Sequence, residues 1–444
     1  MTKFKIAQSQ EKINSLGGLP LIGSLLNRSG LLNFKTKADN RSDRILDSDI
    51  LTSYCGLLAQ GKTEYEEINN FRGNRFFADS LSIENIPSTE SLRQRLDKIG
   101  EDNFLKSKVP NFTNKFLKNI KPTTIKILSG RYVPIDIDGT PFDNSRTKKE
   151  CVSRTYKGYD GFLAMNTFLG TEGYMVHSDL YPGSQHCQKG FSKFLKTSIE
   201  NSRNIISKKR KILVRLDSGH DAAETIEELN KHKKCSYIIK RNLRKEKKEW
   251  WLDLAKSVGT LVRKKEGYKR YTGYVSHLIP GNKEGMDSVD IAFSVSVSSI
   301  DKNGQISCFP EIKVETYWTN LPETPEVIFD LYHAHGTSEQ FHSEIKTDMN
   351  FERLPSGKFS TNKILFQLAM LVYNTLRCIG VDMLEFVEEM PIKLNVKRRR
   401  IKSVLQDIIY GACKYVSTGN VKIIKFGIEN RWWKIIDKLY RKYS

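Results

Sequence analysis

Residues 332 to 346, YHAHGTSEQFHSEIK, bring three histidines, two glutamates and a lysine into one short stretch. Histidine and carboxylate side chains ligate metals or move protons, so the first question is which of them share a face. On an unbroken helix turning by about 100° per residue, Tyr332, His335, Glu339 and Lys346 fall at about 0°, 300°, 340° and 320°. That stripe is either the solvated side of an amphipathic helix or one wall of an active site. A zinc site of His333, His335 and His342 is a third possibility. It is disfavoured: His333 points about 200° away from His335, and His342 is expected beyond the far edge of the stripe.

Two further carboxylates stand where strands should end. Asp138 lies in IDIDGT, at a turn, and Asp217 closes LVRLDSG. Each alone is ordinary as a strand-end cap or turn residue. With Glu339 on a helix, however, the three could converge over one sheet edge and hold two Mg²⁺ ions through hard oxygen ligands. Such a pair of ions suits phosphodiester cleavage, one activating the attacking water and the other neutralising the departing oxygen. Lys346 and neighbouring basic groups would hold the phosphate backbone. Alternation sends Asp136 to the same face as Asp138; Asp138 is preferred because it is nearer the strand end, and Asp221 and Asp348 are weaker candidates.

Positioning three carboxylates in this way requires strands whose ends meet a helix, and the chain has that texture. Residues 1 to 120 read as helices. DSDILTSYCGLLAQG spaces Ile50, Leu51, Tyr54, Leu57 and Leu58 along one face, with Gly61 placed to stop it. IPSTESLRQRLDKIG offers Pro87 and Ser88 as a start and Arg93, Arg95 and Lys98 as a basic side, either a DNA-facing surface or a solvated one. From 121 onward β-branched, alternating stretches suggest three neighbouring strands, then a lysine-rich helix over 186 to 208, a strand ending at Asp217, an acidic helix and the short strand CSYIIKRN. That order describes an α/β core with a mixed sheet. Residues 245 to 325 read as an inserted β-rich module. In it IAFSVSVSS sets Ile291, Phe293, Val295 and Val297 on one face, and Lys302-Asn303-Gly304 makes a hairpin turn. Trp250 and Trp251 in this module are either buried aromatics or a platform for a flipped base. ILFQLAMLVYNTLRCIG is apolar all round and so a buried helix, and the tail from KLNVKRRRIKSVL is basic.

Whole-chain numbers agree. At 444 residues two or three domains are expected, with 39% apolar and 28% charged residues, a globular balance. Lysine and arginine number 72 against 51 acids, a net charge of +21 that favours a polyanionic partner through counterion release. No run of about 18 apolar residues and no apolar centre in MTKFKIAQSQ argue against a membrane span or an export signal. Seven dispersed cysteines without a CxxC pair fit reduced thiols in a cytosol.

These residues resemble a family. Tyr332, His335, Glu339 and Lys346 are spaced like the signature Tyr, two residues, Arg, three residues, Glu, six residues, Lys of DDE-type bacterial insertion-sequence transposases. IDIDGT is similar to their first-aspartate strand and RLDSGHDAAE to their second-aspartate motif, while IPSTESLRQRLDKI, YWTNLP and FERLPSGKFSTNKILFQLAMLVYNTLR match the segments around them. The branch most alike is the thirteen-eighty family, distantly similar to piggyBac-type elements.

The resemblance implies an RNase H-like mixed sheet flanked by helices and interrupted by the β-rich insertion. The expected layout is a helical domain binding the DNA ends over 1–120, catalytic core over 121–244, insertion over 245–325, core with the glutamate helix over 326–384, and a basic region over 385–444. It implies recognition of terminal inverted repeats, Mg²⁺-dependent cleavage (Mn²⁺ as a substitute) exposing a 3′-hydroxyl, and its transfer into target DNA. A homodimer on double-stranded DNA, at a cytoplasmic, nucleoid-associated location, goes with it. Asp138, Asp217 and Glu339 would be the metal ligands; Tyr332, His335 and Lys346, with Arg93 and Arg95, would contact DNA. One position departs: a histidine replaces the arginine at 335. With a pKa near ~6.5 it predicts weaker cleavage that improves as the pH falls. Two other readings stand beside this one: a catalytically decayed, transposase-derived DNA-binding protein, and a nuclease that cuts without strand transfer.

Overall fold

The computed structural model describes residues 2–35, 45–207, 209–278, 288–300, 305–393, 395–396, 398–419 and 421–444. After a two-residue strand β1 (Ile13–Asn14), the helical periodicity is realised as α1 (Leu19–Ser29), α2 (Asp47–Leu58), α3 (Arg75–Leu81), α4 (Thr89–Glu101) and α5 (Asn103–Leu117). Local chemistry sets their ends. Ser88 caps α4 by accepting the Ser91 amide at 3.2 Å. Gly61, with φ of 63°, takes the left-handed conformation in the turn after α2.

The alternating stretches become β2 (Ile125–Ile127), β3 (Gly130–Asp143), β4 (Ser153–Arg154), β5 (Asp160–Leu169) and β6 (Tyr174–Pro182). Then follow α6 (Phe191–Ile205), β7 (Lys211–Leu216), α7 (Ala223–Asn230) and β8 (Cys235–Lys240). β5 pairs antiparallel to β3, whereas β7 joins the other side of β3 in parallel and β8 continues in parallel beside β7. The result is a large mixed sheet flanked by helices. Its buried positions, Ile135, Ile137, Phe168, Val214 and Ile239 among them, lie within the main apolar core.

The next segment differs from a purely β-rich insertion, because it opens with a helix, α8 (Lys248–Val258). Trp251 and Ala255, one turn apart, are its buried residues, and Trp250 is 56% exposed. After it come β9 (Thr260–Lys265), β10 (Tyr268–Leu278), β11 (Ser288–Ile300) and β12 (Ile306–Thr319). β12 pairs antiparallel with β8, Trp318 opposite Ile239, so these strands extend the core sheet in the order β4-β5-β3-β7-β8-β12-β11-β10-β9. In β11, Ile291, Phe293 and Val295 are buried as the alternation predicts, yet so are Ala292 and Ser294 on the other face. Both faces are covered, one by Trp251, 6.0 Å from Phe293, the other by the following helix, whose Phe329 ring stands 5.2 Å from Tyr317. The expected Lys302-Asn303-Gly304 turn lies outside the described residues.

The chain ends with α9 (Pro325–His333), α10 (Thr337–Ser343), α11 (Phe359–Asp382), α12 (Ile401–Val404), β13 (Cys413–Thr418), β14 (Val421–Phe426) and α13 (Trp433–Tyr443). With its continuation, α11 is long and apolar enough to cross a membrane, at mean hydropathy 1.5, but it is a buried core helix packed on β6, α4 and α5. Its buried Asn374 amide is matched: it both accepts from and donates to the Met175 backbone at 2.8 Å. β1 pairs with β13, Ile13 opposite Lys414, so the two ends of the described chain share a small sheet.

Candidate active site

β3 and β7 run side by side with Asp136 opposite Arg215 and Ile137 opposite Leu216. One residue further along, the register brings Asp138 beside Asp217, where β7 has just ended. Asp217 accepts the Gly219 amide at 3.1 Å and starts the short turn Ser218–His220; Asp138 accepts the Gly139 amide at 2.7 Å. Both line a cavity of about 520 Å³ together with Arg154, Tyr156, His186 and Cys187. The two carboxylates differ in how their surroundings treat them. Burial and the Asp138 charge push the Asp217 carboxyl up to about 6. Burial also raises Asp138, but His342 beside it more than offsets that and holds it below the usual carboxylate range.

Asp136 is spent on structure. Its oxygens accept from Arg215 Nε at 2.6 Å and from a terminal guanidinium nitrogen at 2.7 Å, and His335 Nδ1 stands 2.9 Å away. All three groups are buried. Arg215 uses its other terminal nitrogen on the Leu331 carbonyl at 2.8 Å. Asp221 and Asp348 are likewise committed, the first to the Trp318 indole (2.8 Å) and the Asn242 amide (2.9 Å), the second to Arg400 at 2.8 and 2.9 Å.

The glutamate segment is not the unbroken helix that its periodicity suggests. α9 ends at His333, a tight turn covers Ala334–Gly336, α10 runs over Thr337–Ser343, and a wide turn takes Glu344–Asp348. His335 therefore turns inward to Asp136, which corrects the expectation of a phosphate-facing side chain. Burial alone would lower its pKa; the Asp136 charge outweighs that and raises it, so the ring is more readily charged than a free histidine. His342 is also corrected. Seven residues are nearly two full turns, so it belongs on the His335 side after all. Its Nδ1 accepts from Asn166 Nδ2 at 3.2 Å, and its Nε2 stands 3.5 Å from Asp138.

Glu339 sits between these two contacts, four residues after His335 and three before His342, and is exposed. Asp138 and Asp217 are brought together. Glu339 does not join them within ligand reach: among the described residues no three His, Cys, Asp or Glu side chains are grouped to hold a metal. The three histidines likewise form no zinc site, and His333 faces Glu315 at 3.6 Å.

The remaining predicted residues separate clearly. Tyr332 packs its ring 4.5 Å from Tyr317 and 5.7 Å from His335, and burial with the Asp217 and Asp138 charges raises its pKa. Lys346 donates to the Pro141 carbonyl at 3.0 Å and pairs with Glu352 at 2.6 Å. Arg93 is half-exposed beside Glu90 at 2.6 Å, while Arg95 is tied to Asp47 and, at 2.9 Å, to the Ile45 carbonyl, so it braces α2 instead of offering a free cation. The basic stretch after α11 is also engaged: Arg398 reaches Gln340 at 2.7 Å and Glu344 at 2.5 Å, and from within α11 buried Arg377 pairs with the same Glu344.

Several neighbours of the aspartates were not singled out from sequence. Arg215 and Asn166 depend on partners far along the chain and left no local signal; His220, three residues after Asp217 with Nε2 3.7 Å from its Oδ1, is held by a ring stack 3.8 Å from the distant Phe191. Only His342 could have been found, from its spacing to His335.

Residues 129–375 match the family model described as Transposase DDE domain. A comparison with curated proteins gives no match. Among solved structures, the cryo-EM structure of a piggyBac transposase synaptic complex with hairpin DNA is similar at 10% identity and a TM-score of 0.43, over 98% of this chain and 84% of that chain.

Proposed function

The chain belongs to the family of transposases with a DDE domain, and from that premise we propose that it cleaves the terminal inverted repeats of an insertion sequence and joins the 3′-hydroxyl ends to target DNA. The observation that carries this reading is the approach of Asp138, inside β3 just past its last pair with β7, and Asp217, just past the end of β7, in the wall of one cavity. Burial together with the Asp138 charge raises Asp217, which is what a site awaiting cations has. Two divalent ions, Mg²⁺ with Mn²⁺ as a substitute, would supply an activated water and a neutralised departing oxygen.

Asp138 and Asp217 are the proposed ligands from the sheet and Glu339 the third from α10, approaching when DNA and metal are bound. Tyr332 and Lys346 are the proposed DNA contacts near the cut, and a net charge of +21 supplies the long-range attraction. The core is proposed to be RNase H-like, the element to belong to the thirteen-eighty family, and the working form to be a homodimer bridging both DNA ends at the nucleoid. In this reading, residues 1–120 bind the element ends, 121–244 and 326–384 form the catalytic core, 245–325 the insertion and 385–444 a basic closing region.

A second reading, a transposase-derived DNA-binding protein that does no chemistry, draws on the separation of Glu339 from the aspartates. Cleavage of labelled DNA carrying the sequences that flank this gene, with and without Mg²⁺, decides between them. Metal-dependent cuts at the element ends that vanish in Glu339→Ala support the transposase; binding without cuts in Mg²⁺ or Mn²⁺ supports the second reading.

A further inference from the structure

We propose that His335 is a positioning residue: together with Arg215 it ties the segment leading into Glu339 to the buried carboxylate of Asp136, and so sets where Glu339 stands relative to Asp138. This rests on the reading of Asp138, Asp217 and Glu339 as metal ligands.

Three observations carry it. Asp136 and Asp138 alternate on the same face of β3, so anything fixed to Asp136 is indexed to Asp138. Arg215 then reaches from Asp136 to the Leu331 carbonyl at 2.8 Å, and His335, four residues on, reaches Asp136 itself at 2.9 Å. Two consecutive turns are thereby gripped by one carboxylate. Finally, Glu339 follows after a further four residues, and His342 touches Asp138 at 3.5 Å, so Glu339 is suspended between two contacts to the same strand.

The geometry also explains the histidine. Arg215 already fills the guanidinium position beside Asp136, engaging both carboxylate oxygens, and at 335 stands a flat, short ring whose Nδ1 shares Oδ1 with Arg215 Nε. A ring so buried has no face to give a phosphate.

His335→Asn and His335→Gln separate positioning from DNA contact, because only asparagine carries an amide nitrogen where Nδ1 stands. The probes are Mn²⁺, followed by electron paramagnetic resonance of the DNA-free protein, and labelled DNA bearing the gene's flanks, followed by anisotropy and single-turnover cleavage. The expected result is His335→Asn close to wild type and His335→Gln slower by about 100-fold, the cost of a misplaced reacting group. Weaker Mn²⁺ binding in His335→Gln only, unchanged DNA affinity and similar melting of both variants should accompany it. Equal rates for the two variants, or a loss confined to DNA affinity, overturns the proposal while the catalytic reading stands. A wild type that neither binds Mn²⁺ nor cuts overturns both.

Discussion

Asp138 and Asp217 stand side by side because the strands carrying them are parallel neighbours in register, Ile137 beside Leu216. What offsets their charge comes from around them: His342 for Asp138, and for Asp217 a backbone amide with His220 nearby and His335 and Lys240 acting at longer range. The pair is thus a local liability for the fold and a local asset for cation binding.

Asp217→Asn should raise stability while abolishing metal-dependent cleavage. The carboxyl titrates at about 6 in the folded chain against about 3.9 unfolded, so its ionised form disfavours folding. That penalty is absent below pH ~4, grows between the two values and is complete above the folded one. Since the side chain is 46% exposed, solvent screening reduces it to about 1 kcal/mol. Metal-free melting curves of wild type and variant should converge at low pH and separate above pH ~6 in favour of the asparagine; no separation there would refute the penalty that burial and the Asp138 charge place on the ionised Asp217.

For His335 the sign is opposite. Its folded pKa is raised, so the Asp136 contact stabilises fully below the unfolded value of about 6.5 and is lost as the pH rises through the folded one. His335→Leu should therefore lose most melting temperature relative to wild type in mildly acidic buffer and least in alkaline buffer. A difference that does not vary with pH would mean that the ring contributes packing alone.

Arg398 and Arg154 should part in their response to salt. Arg398 is committed to Gln340 and Glu344, whereas Arg154 is mostly exposed at the cavity, 3.7 Å from an exposed Asp160. Each phosphate contact contributes about 0.9 to the slope of log affinity against log salt. Arg154→Ala should flatten that slope by about one contact in binding titrations, and Arg398→Ala should leave it unchanged while lowering stability. The reverse pattern would make the stretch after α11 the DNA-facing one.

Arg377→Met should be severe. Arg377 and Glu344 are fully buried, and removing one partner strands a buried charge at a cost of about 3 kcal/mol. The double variant Arg377→Met with Glu344→Gln should recover part of it in urea unfolding. If the single change costs nothing, Arg398 alone suffices for Glu344.

Local patterning was enough for much of this molecule. Alternation, helical spacing and end signals are properties of neighbouring residues, so β3, β7, α2 and α4, and the place of Asp217 at the end of β7, were legible without any long-range information; Asp138, expected at a strand end, instead lies inside β3, which runs on to Asp143 because β5 continues to pair with it. Partner choice was not. Asp136 and Asp138 are indistinguishable by alternation; the fold separates them by bringing Arg215, 79 positions away, against the first and leaving the second at the cavity. The same holds for the insertion, whose strands looked independent until β12 found the edge of β8, and for the tight turn at Ala334–Gly336, where His335 meets the buried Asp136. Sequence by itself determined which side chains could do chemistry and on which kind of element. Tertiary structure alone decided which were neutralised by distant partners and which were left to act, because burial and charge pairing are set by contacts between segments far apart in the chain.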